Sequence, residues 1–233
     1  AGEATAKSSP AELSDLRKTE GIFASLGGIW ARPAALTDER SEPEEIQMGF
    51  VTAGFLSLFG VDPLLGRDLL PDEDVPNGPR VVVLSHGLWE RRYGSDPAIV
   101  GKSLEMDGEP FTIVGVMPET FALILPADAD VPVSLELWAP FGGGYEESPR
   151  SFRVMTVVGR LSDDTIEESR ARLETLSRQL VSDHPADYGS SGLKLHLDPL
   201  HSAVTAPVRP ALVVLFGTVV FVLFIAWANV ANL

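Results

Sequence analysis

Cysteine is absent from the 233 residues, so the chain forms no disulfide and offers no thiolate as nucleophile or metal ligand. That absence leaves the compartment open, because exported bacterial domains often dispense with disulfides. Basic residues are scarce, with 18 Lys+Arg against 33 Asp+Glu, a formal net charge of −15 and no basic run. Backbone phosphates would be repelled, which excludes nucleic acid as a partner. Hydrophobic residues make up 45% of the chain and charged residues 22%, which excludes a disordered composition.

Charge is also missing from one end. Ala211 to Leu233 reads ALVVLFGTVVFVLFIAWANVANL, with no charged residue and only Thr218, Asn229 and Asn232 as polar ones. At about 1.5 Å rise per residue a helix of that length reaches about 35 Å, enough to cross a hydrocarbon layer about 30 Å thick. A transmembrane helix over 211–233 is therefore expected, with Pro207, Arg209 and Pro210 marking its start. Only Lys194 and Arg209 are basic just before it, which places residues 1–206 on the extracytoplasmic side. Ala1 is not a start methionine, and the last residue would lie within a span. The sequence thus reads as a piece of a longer one.

The remainder alternates helix and strand signals. Ser9-Pro10-Ala11-Glu12 is a capping box opening a helix to about Thr19, followed by strands at 23–36 and 44–51 across a polar turn at 37–43. Phe55, Leu58 and Phe59 suggest a short helix before Gly60. Arg80 to Leu84 is a β-branched run, Ser85 caps a helix that ends at Gly94, and strands 102–106 and 109–117 join at Asp107-Gly108, a hairpin dipeptide. A strand over 152–161 precedes a second capping box, Thr165 to Glu168. Ile166, Leu173, Leu176 and Leu180 then form one helical stripe ending near His184-Pro185. Leu193, Leu195 and Leu197 alternate with polar residues as in a half-buried strand that would close a β-α-β unit.

No catalytic, cofactor or metal constellation withstands its geometric requirements. Gly101-Lys102-Ser103 resembles the end of a phosphate loop, but Asp96 stands where the first glycine belongs and a hairpin follows instead of a helix. Ser85 and His86 lack the strained elbow of a serine nucleophile. His196, Asp198 and His201 have no third close ligand partner on the strand, and Asp72 with Asp74 begins a calcium-loop pattern whose twelfth position is Val83 instead of Glu. The acid pairs Glu44-Glu45, Asp163-Asp164 and Glu167-Glu168 read as solvated faces and helix starts. Arg67 beside Asp68, Glu73 and Asp74 reads as an ion-paired loop anchor.

Several segments, taken together and in order, resemble one family. They are Val51 to Arg67 with Glu73-Asp74, Val81 to Gly94, Asp96 through Lys102, Asp107 to Pro118, Leu137 to Pro140, Gly159 to Leu161, and Ala228 to Leu233. The chain resembles the MacB-type periplasmic core domain of FtsX-like ABC transporter permeases, and within them the acidobacterial-type orphan permeases. It departs at Ser162-Asp163-Asp164, where a Gly is common, and at Trp227, where a small residue or Cys is usual.

The resemblance implies an α+β fold: a discontinuous porter-like β-α-β lobe from residues 1–62 and 150–206, an inserted β-rich lobe at 63–149, and the beginning of the permease's second transmembrane helix at 211–233. It implies residues 1–206 on the periplasmic side of the bacterial inner membrane, in a transport complex of the efflux or export class. The domain would carry no catalytic, cofactor-binding or metal residue and would not be an enzyme. Its implied partners are a separate cytoplasmic ATPase, a second permease copy, a periplasmic adaptor and the membrane. The alternative reading is a membrane-tethered ligand-binding or sensor domain, and a membrane-anchored hydrolase is disfavoured.

Overall fold

The computed structural model describes residues 7–38, 41–162, 165–189, 192–205, 214–221, 223 and 227. Ala1–Leu123 and Asp128–Leu197 form one compact unit, and Ile124–Ala127 with Asp198–Leu233 form another. The fold of the first unit is α+β.

Its strands are β1 (Phe23–Asp38), β2 (Ser41–Val51), β3 (Leu65–Gly66), β4 (Val81–Leu84), β5 (Ser103–Met106), β6 (Glu109–Val116), β7 (Leu137–Pro140) and β8 (Thr156–Leu161). The helices are α1 (Pro10–Lys18), α2 (His86–Tyr93), α3 (Ile166–Asp183) and α4 (Pro185–Tyr188), with a 3-10 turn at Leu56–Phe59. The expected polar turn at 37–43 is shorter than its sequence suggests, because the β1–β2 ladder continues to the pair Asp38 and Ser41.

The sheet order β2-β7-β4-β6-β5-β1 returns on itself, since β1 also pairs with β2. These six strands therefore close into a small barrel, and closure leaves them no free edge at the join. Each contributes buried side chains to one interior: Leu36 from β1, Met48 from β2, Leu84 from β4, Leu104 from β5, Ile113 from β6 and Leu137 from β7. β1 is long enough to leave the barrel. Its first half, Phe23 to Ile29, pairs antiparallel with β8, and its far end, Leu36-Thr37, pairs with β5. Pro33 lies on the intervening stretch, where β2 is its ladder partner among the described residues, so its missing N–H interrupts no second ladder there. The lobes expected at 1–62 with 150–206 and at 63–149 are thus spanned by β1 and β2, which pair with strands of both ranges.

The β5–β6 hairpin turns through Asp107 (φ 50°) and Gly108 (φ 81°), the left-handed pair that suits a two-residue turn. Asp107 also exchanges hydrogen bonds with β1: its N–H donates to the Ala35 carbonyl, and its carboxylate accepts from the Ala35 N–H, both at 2.9 Å. That contact and Arg32, at 2.8 Å, hold the Asp107 carboxyl below its ordinary range. The turn thereby helps close the barrel. At β3, Gly66 (φ 70°) and Gly115 cross so closely that a Cβ on either would lie 2.1 Å and 2.3 Å from a backbone oxygen.

Outside the barrel, α1 and α3 lie over the β1–β8 pair. α1 starts as its capping box predicts, with the Ser9 hydroxyl accepting from the Glu12 N–H and the Glu12 carboxylate from the Ser9 N–H. Its Leu13 is fully buried and fits against Gly28 of β1, and its Leu16 joins Ile22 and α3's Leu173 in a second cluster. The α3 stripe differs from expectation: the buried positions are Ser169, Leu173, Ser177 and Leu180, while Ile166 and Leu176 are half-buried.

The strand expected at 193–197 does not form. Leu193 is buried, Leu195 and Leu197 are half-buried and Lys194 and His196 are exposed, as the alternation required. The run nevertheless joins no ladder. It is held to α3 instead, with the Leu195 N–H donating to the Ser177 hydroxyl (3.0 Å) and Arg170 donating to the Leu197 carbonyl (3.0 and 3.1 Å). The β-α-β unit is therefore incomplete as a sheet: β8, α3 and an extended return.

In the second unit, α5 (Leu200–Thr205) and residues 214–221 are helical, and the apolar side chains Val214, Leu215, Phe216, Val219 and Phe221 are exposed. Among the described residues no helix is long and apolar enough to cross a membrane. Leu223 and Trp227 are likewise helical and exposed, and the other residues of the span expected at 211–233 lie outside the described residues.

Candidate functional site

The sequence motifs that resemble catalytic elements have structural places. Gly101 (φ 89°) bonds back to Ile113 across the sheet, Lys102 pairs with Asp96, and Ser103 donates to the Phe111 carbonyl, so the run opens β5. Ser85 caps α2 by accepting from the Leu88 N–H (3.1 Å), and the His86 ring meets Trp89 edge-on. Both residues line a cavity of about 220 Å³ with Glu90, Met117, Glu119, Phe121 and Trp138, but no hydrogen bond joins serine to histidine. His196, Asp198 and His201 are exposed. Among the described residues no three His, Asp or Glu side chains assemble as a metal ligand set. Glu44 is not merely solvated: it pairs with Arg91 (2.7 Å) and Arg92 (3.1 Å), tying β2 to α2. Glu168 closes the α3 capping box, and Asp163-Asp164 lie outside the described residues.

Two polar joints do bring distant segments together. The first is the expected anchor at Arg67. Its guanidinium grips Glu73 through both oxygens (2.5 and 2.9 Å), and Glu73 is only 7% exposed. Burial works against the Glu73 charge, but Arg67 and the Leu70 N–H overcome it and lower its pKa. Next to it, the buried Asp74 accepts from the Ala53 N–H (3.0 Å), the Gly142 N–H (2.9 Å) and the Tyr145 hydroxyl (2.5 Å). Burial, and then the Asp74 charge, push the Tyr145 hydroxyl well above its ordinary pKa, so it remains a donor. Asp68 in turn accepts from the N–H and hydroxyl of Ser57. One acidic loop thereby fastens the end of β2, the 3-10 turn and the glycines at 142–143.

The second joint was not apparent in the sequence. Glu12, 1% exposed, accepts from Ser9 N–H, from Arg153 (2.8 Å) and from the Tyr188 hydroxyl (3.1 Å). Arg150 donates to Asp15 (2.7 Å), to the Tyr188 oxygen (3.0 Å) and to His184 Nε2 (2.9 Å). Both guanidinium groups also stand over the Tyr188 ring, at 5.9 and 5.6 Å. Burial disfavours the Arg150 charge, but hydrogen bonds to Asp15 and Tyr188 outweigh it and raise its pKa. Burial likewise raises the Tyr188 pKa. The joint unites α1, the 150–153 segment and α4, the early and late parts of the chain. Only Glu12 carried a sequence signal, as a helix cap, because its partners lie 141 and 176 residues away.

This geometry binds distant segments to one another, and among the described residues no nucleophile–base pair is assembled. No curated protein sequence matches the chain significantly. Solved structures that share the fold include these three. The extracellular domain of the noncanonical ABC-type transporter YknZ from Gram-positive bacteria is 15% identical, with a TM-score of 0.55 over 78% of this chain and 86% of that one. The periplasmic region of MacB from Actinobacillus actinomycetemcomitans is 18% identical, with a TM-score of 0.55 over 78% and 76%. A domain of a permease protein from Porphyromonas gingivalis is 14% identical, with a TM-score of 0.56 over 84% and 85%. The profile of the MacB-like periplasmic core domain matches residues 4–176, well over half of the sequence, and the chain belongs to that family.

Proposed function

We propose that this chain is the extracytoplasmic domain of an ABC-type transporter permease of the export class, and that it acts by transmitting conformational change instead of by chemistry. The observation that carries the reading is the family match over residues 4–176, joined with a structure whose buried polar groups connect segments. The movement originates in a separate cytoplasmic ATPase acting on the full permease, and reaches a periplasmic adaptor or the substrate through this domain. A second permease copy completes the transporter. Residues 1–206 lie outside the inner membrane, and 211–233 begin the second span, where the uncharged run supplies the necessary length.

Two lobes divide the work. The barrel of residues 63–149, completed by β1 and β2, is the lobe that meets partners. The porter-like lobe of residues 1–62 and 150–206 is the one that receives the movement. Separate apolar clusters, one in the barrel and one under α1 and α3, support the division.

The test is the topology of the full-length protein in cells. The lack of native cysteine lets single cysteines be introduced at Glu109 and Glu119, both exposed, for a membrane-impermeant maleimide. Labelling in intact spheroplasts is expected at both. Labelling only after lysis would place the domain in the cytoplasm and overturn the reading. Reporter fusions should find one span before residue 1, completion of the span begun at residue 211, and two or more later spans, whereas a lone anchor would favour a tethered binding domain.

A further inference from the structure

We infer that the loop tip Ile124–Ala127, in the β6–β7 connection, is a membrane-surface contact, seated where the headgroups of the bilayer meet its acyl chains. The inference rests on the proposed reading of 211–233 as the beginning of a span. The sequence sets the tip apart: Thr120 to Ala127 reads TFALILPA, eight residues without a charge in a chain where 22% are charged, and Asp128 and Asp130 close it. Both roots of the loop are fixed. On the near side the Phe121 ring meets Phe59 and Trp138 edge-on, at 6.0 and 5.4 Å, and Leu123 is buried. On the far side the carbonyl of the buried Ala129 accepts from the Thr156 hydroxyl at 2.9 Å and from the Lys7 ammonium. Between the roots Ile124 is 55% exposed, and Leu125 and Pro126 are half-buried. Held at both ends, the tip does not withdraw its isoleucine into a core without breaking these contacts.

The company the tip keeps identifies what covers it. Ile124–Ala127 belong to the same compact unit as Asp198–Leu233, although the residues on either side of the tip belong to the other unit. That unit also carries the exposed side chains of Leu200, Val214, Leu215, Phe216, Val219 and Phe221. A lone exposed isoleucine is ordinary on a soluble surface, but one grouped with an uncharged apolar helix shares that helix's solvent. For a run of that length and composition the solvent is lipid.

Charge sets the depth of the contact. No Lys or Arg lies between Pro118 and Glu136, so anionic headgroups offer the loop no attraction, and the contact is apolar. Asp128 and Asp130 are exposed and keep to water, which stops the loop at headgroup level instead of letting it enter the acyl core. Pro126 suits the boundary, because it has no N–H to leave unpaired there. The tip thus gives the β6–β7 connection a footing on the membrane that the span reading by itself does not supply.

The test uses the full-length permease in lipid nanodiscs, carrying one polarity-sensitive NBD label and spin-labelled lipids that quench either at headgroup depth or deep among the acyl chains. The label is placed in turn on Ile124→Cys, on Phe221→Cys near the middle of the uncharged run, and on Glu109→Cys at the other end of β6 from the loop, all exposed. At Ile124→Cys a blue-shifted emission is expected, quenched about twofold or more strongly by the shallow lipid than by the deep one. Phe221→Cys should be quenched by the deep lipid and Glu109→Cys by neither. Adding Leu125→Asp should return the emission at Ile124→Cys to that of Glu109→Cys. Water-like emission at Ile124→Cys with lipid quenching at Phe221→Cys would overturn the contact and leave the span reading standing. Blue-shifted emission at Ile124→Cys that neither lipid quenches would assign the tip to a protein partner and overturn the contact equally. Water-like emission at Phe221→Cys would overturn the span reading and the contact with it.

Discussion

The barrel and the α1–α3 side of the domain are held together by different physics. The barrel is a closed ladder around an apolar interior, where Leu36, Leu84, Ile113 and Leu137 are fully buried, and its charged pairs, such as Asp107 with Arg32 and Arg67 with Glu73, sit at turns and loops outside that interior. The other side has apolar contacts too, but what connects α1 to α4 is a set of charge-assisted bonds to Glu12 and Arg150. Apolar burial responds little to pH or salt, whereas buried charges depend on every partner remaining in its ionisation state. Under the proposed mechanism, the contrast puts the give at the polar joint, with the barrel carried as a body.

Breaking the barrel should cost most. Leu84→Ala, in a central strand with both neighbours paired, should destabilise by roughly 2–5 kcal/mol in denaturant unfolding. A smaller loss would mean that the interior collapses easily and is not the stiff part. At the joint, Glu12→Ala leaves the Ser9 N–H, Arg153 and the Tyr188 hydroxyl without their acceptor. A loss of about 2–3 kcal/mol is expected, together with faster hydrogen exchange in α1 and α4 and unchanged exchange in β4 and β6. Exchange that rises equally in the barrel would erase the distinction between the two regions.

The acidic anchor sharpens the comparison through pH. Glu73 has a lowered pKa in the folded chain, so its contribution is present above the ordinary carboxylate pKa and is lost as the pH falls through the folded value. Acid unfolding curves of Glu73→Gln should therefore converge with wild type at low pH and lie below it at neutral pH. A constant gap would show that the substitution acts through packing alone. Losing the α2 cap in Ser85→Ala should cost about 1 kcal/mol and affect only the barrel side. Least of all, Arg80→Ala removes an exposed pair with Glu109 and should change stability by about 0.5 kcal/mol or less.

What the sequence revealed and what it concealed divide along the same physical line. Caps and turns are decided within a few residues, and Ser9 with Glu12, Ser85, Thr165 with Glu168, and Asp107-Gly108 all stand where local chemistry puts them. Barrel closure was not legible, because nothing local announces that β1 will serve β8, β2 and β5 along successive stretches. Ser169 and Ser177 entered the buried face of α3 unseen, since a search for apolar periodicity passes over small polar residues. The alternation at 193–197 reported burial correctly but not pairing, which depends on a neighbouring strand edge instead of on the run itself. Arg67 was visible because its acids are close in sequence, and Arg150, Arg153 and Tyr188 were not, because theirs are far away.

The measurement that tests the account most directly is amide hydrogen exchange across the full-length permease in lipid, with its ATPase, with and without ATP. The account predicts that protection changes with nucleotide in α1, the 150–153 segment and α4, while the barrel strands β4, β5 and β6 keep theirs. Nucleotide-dependent change confined to the barrel, or no change anywhere in residues 7–205, would contradict it.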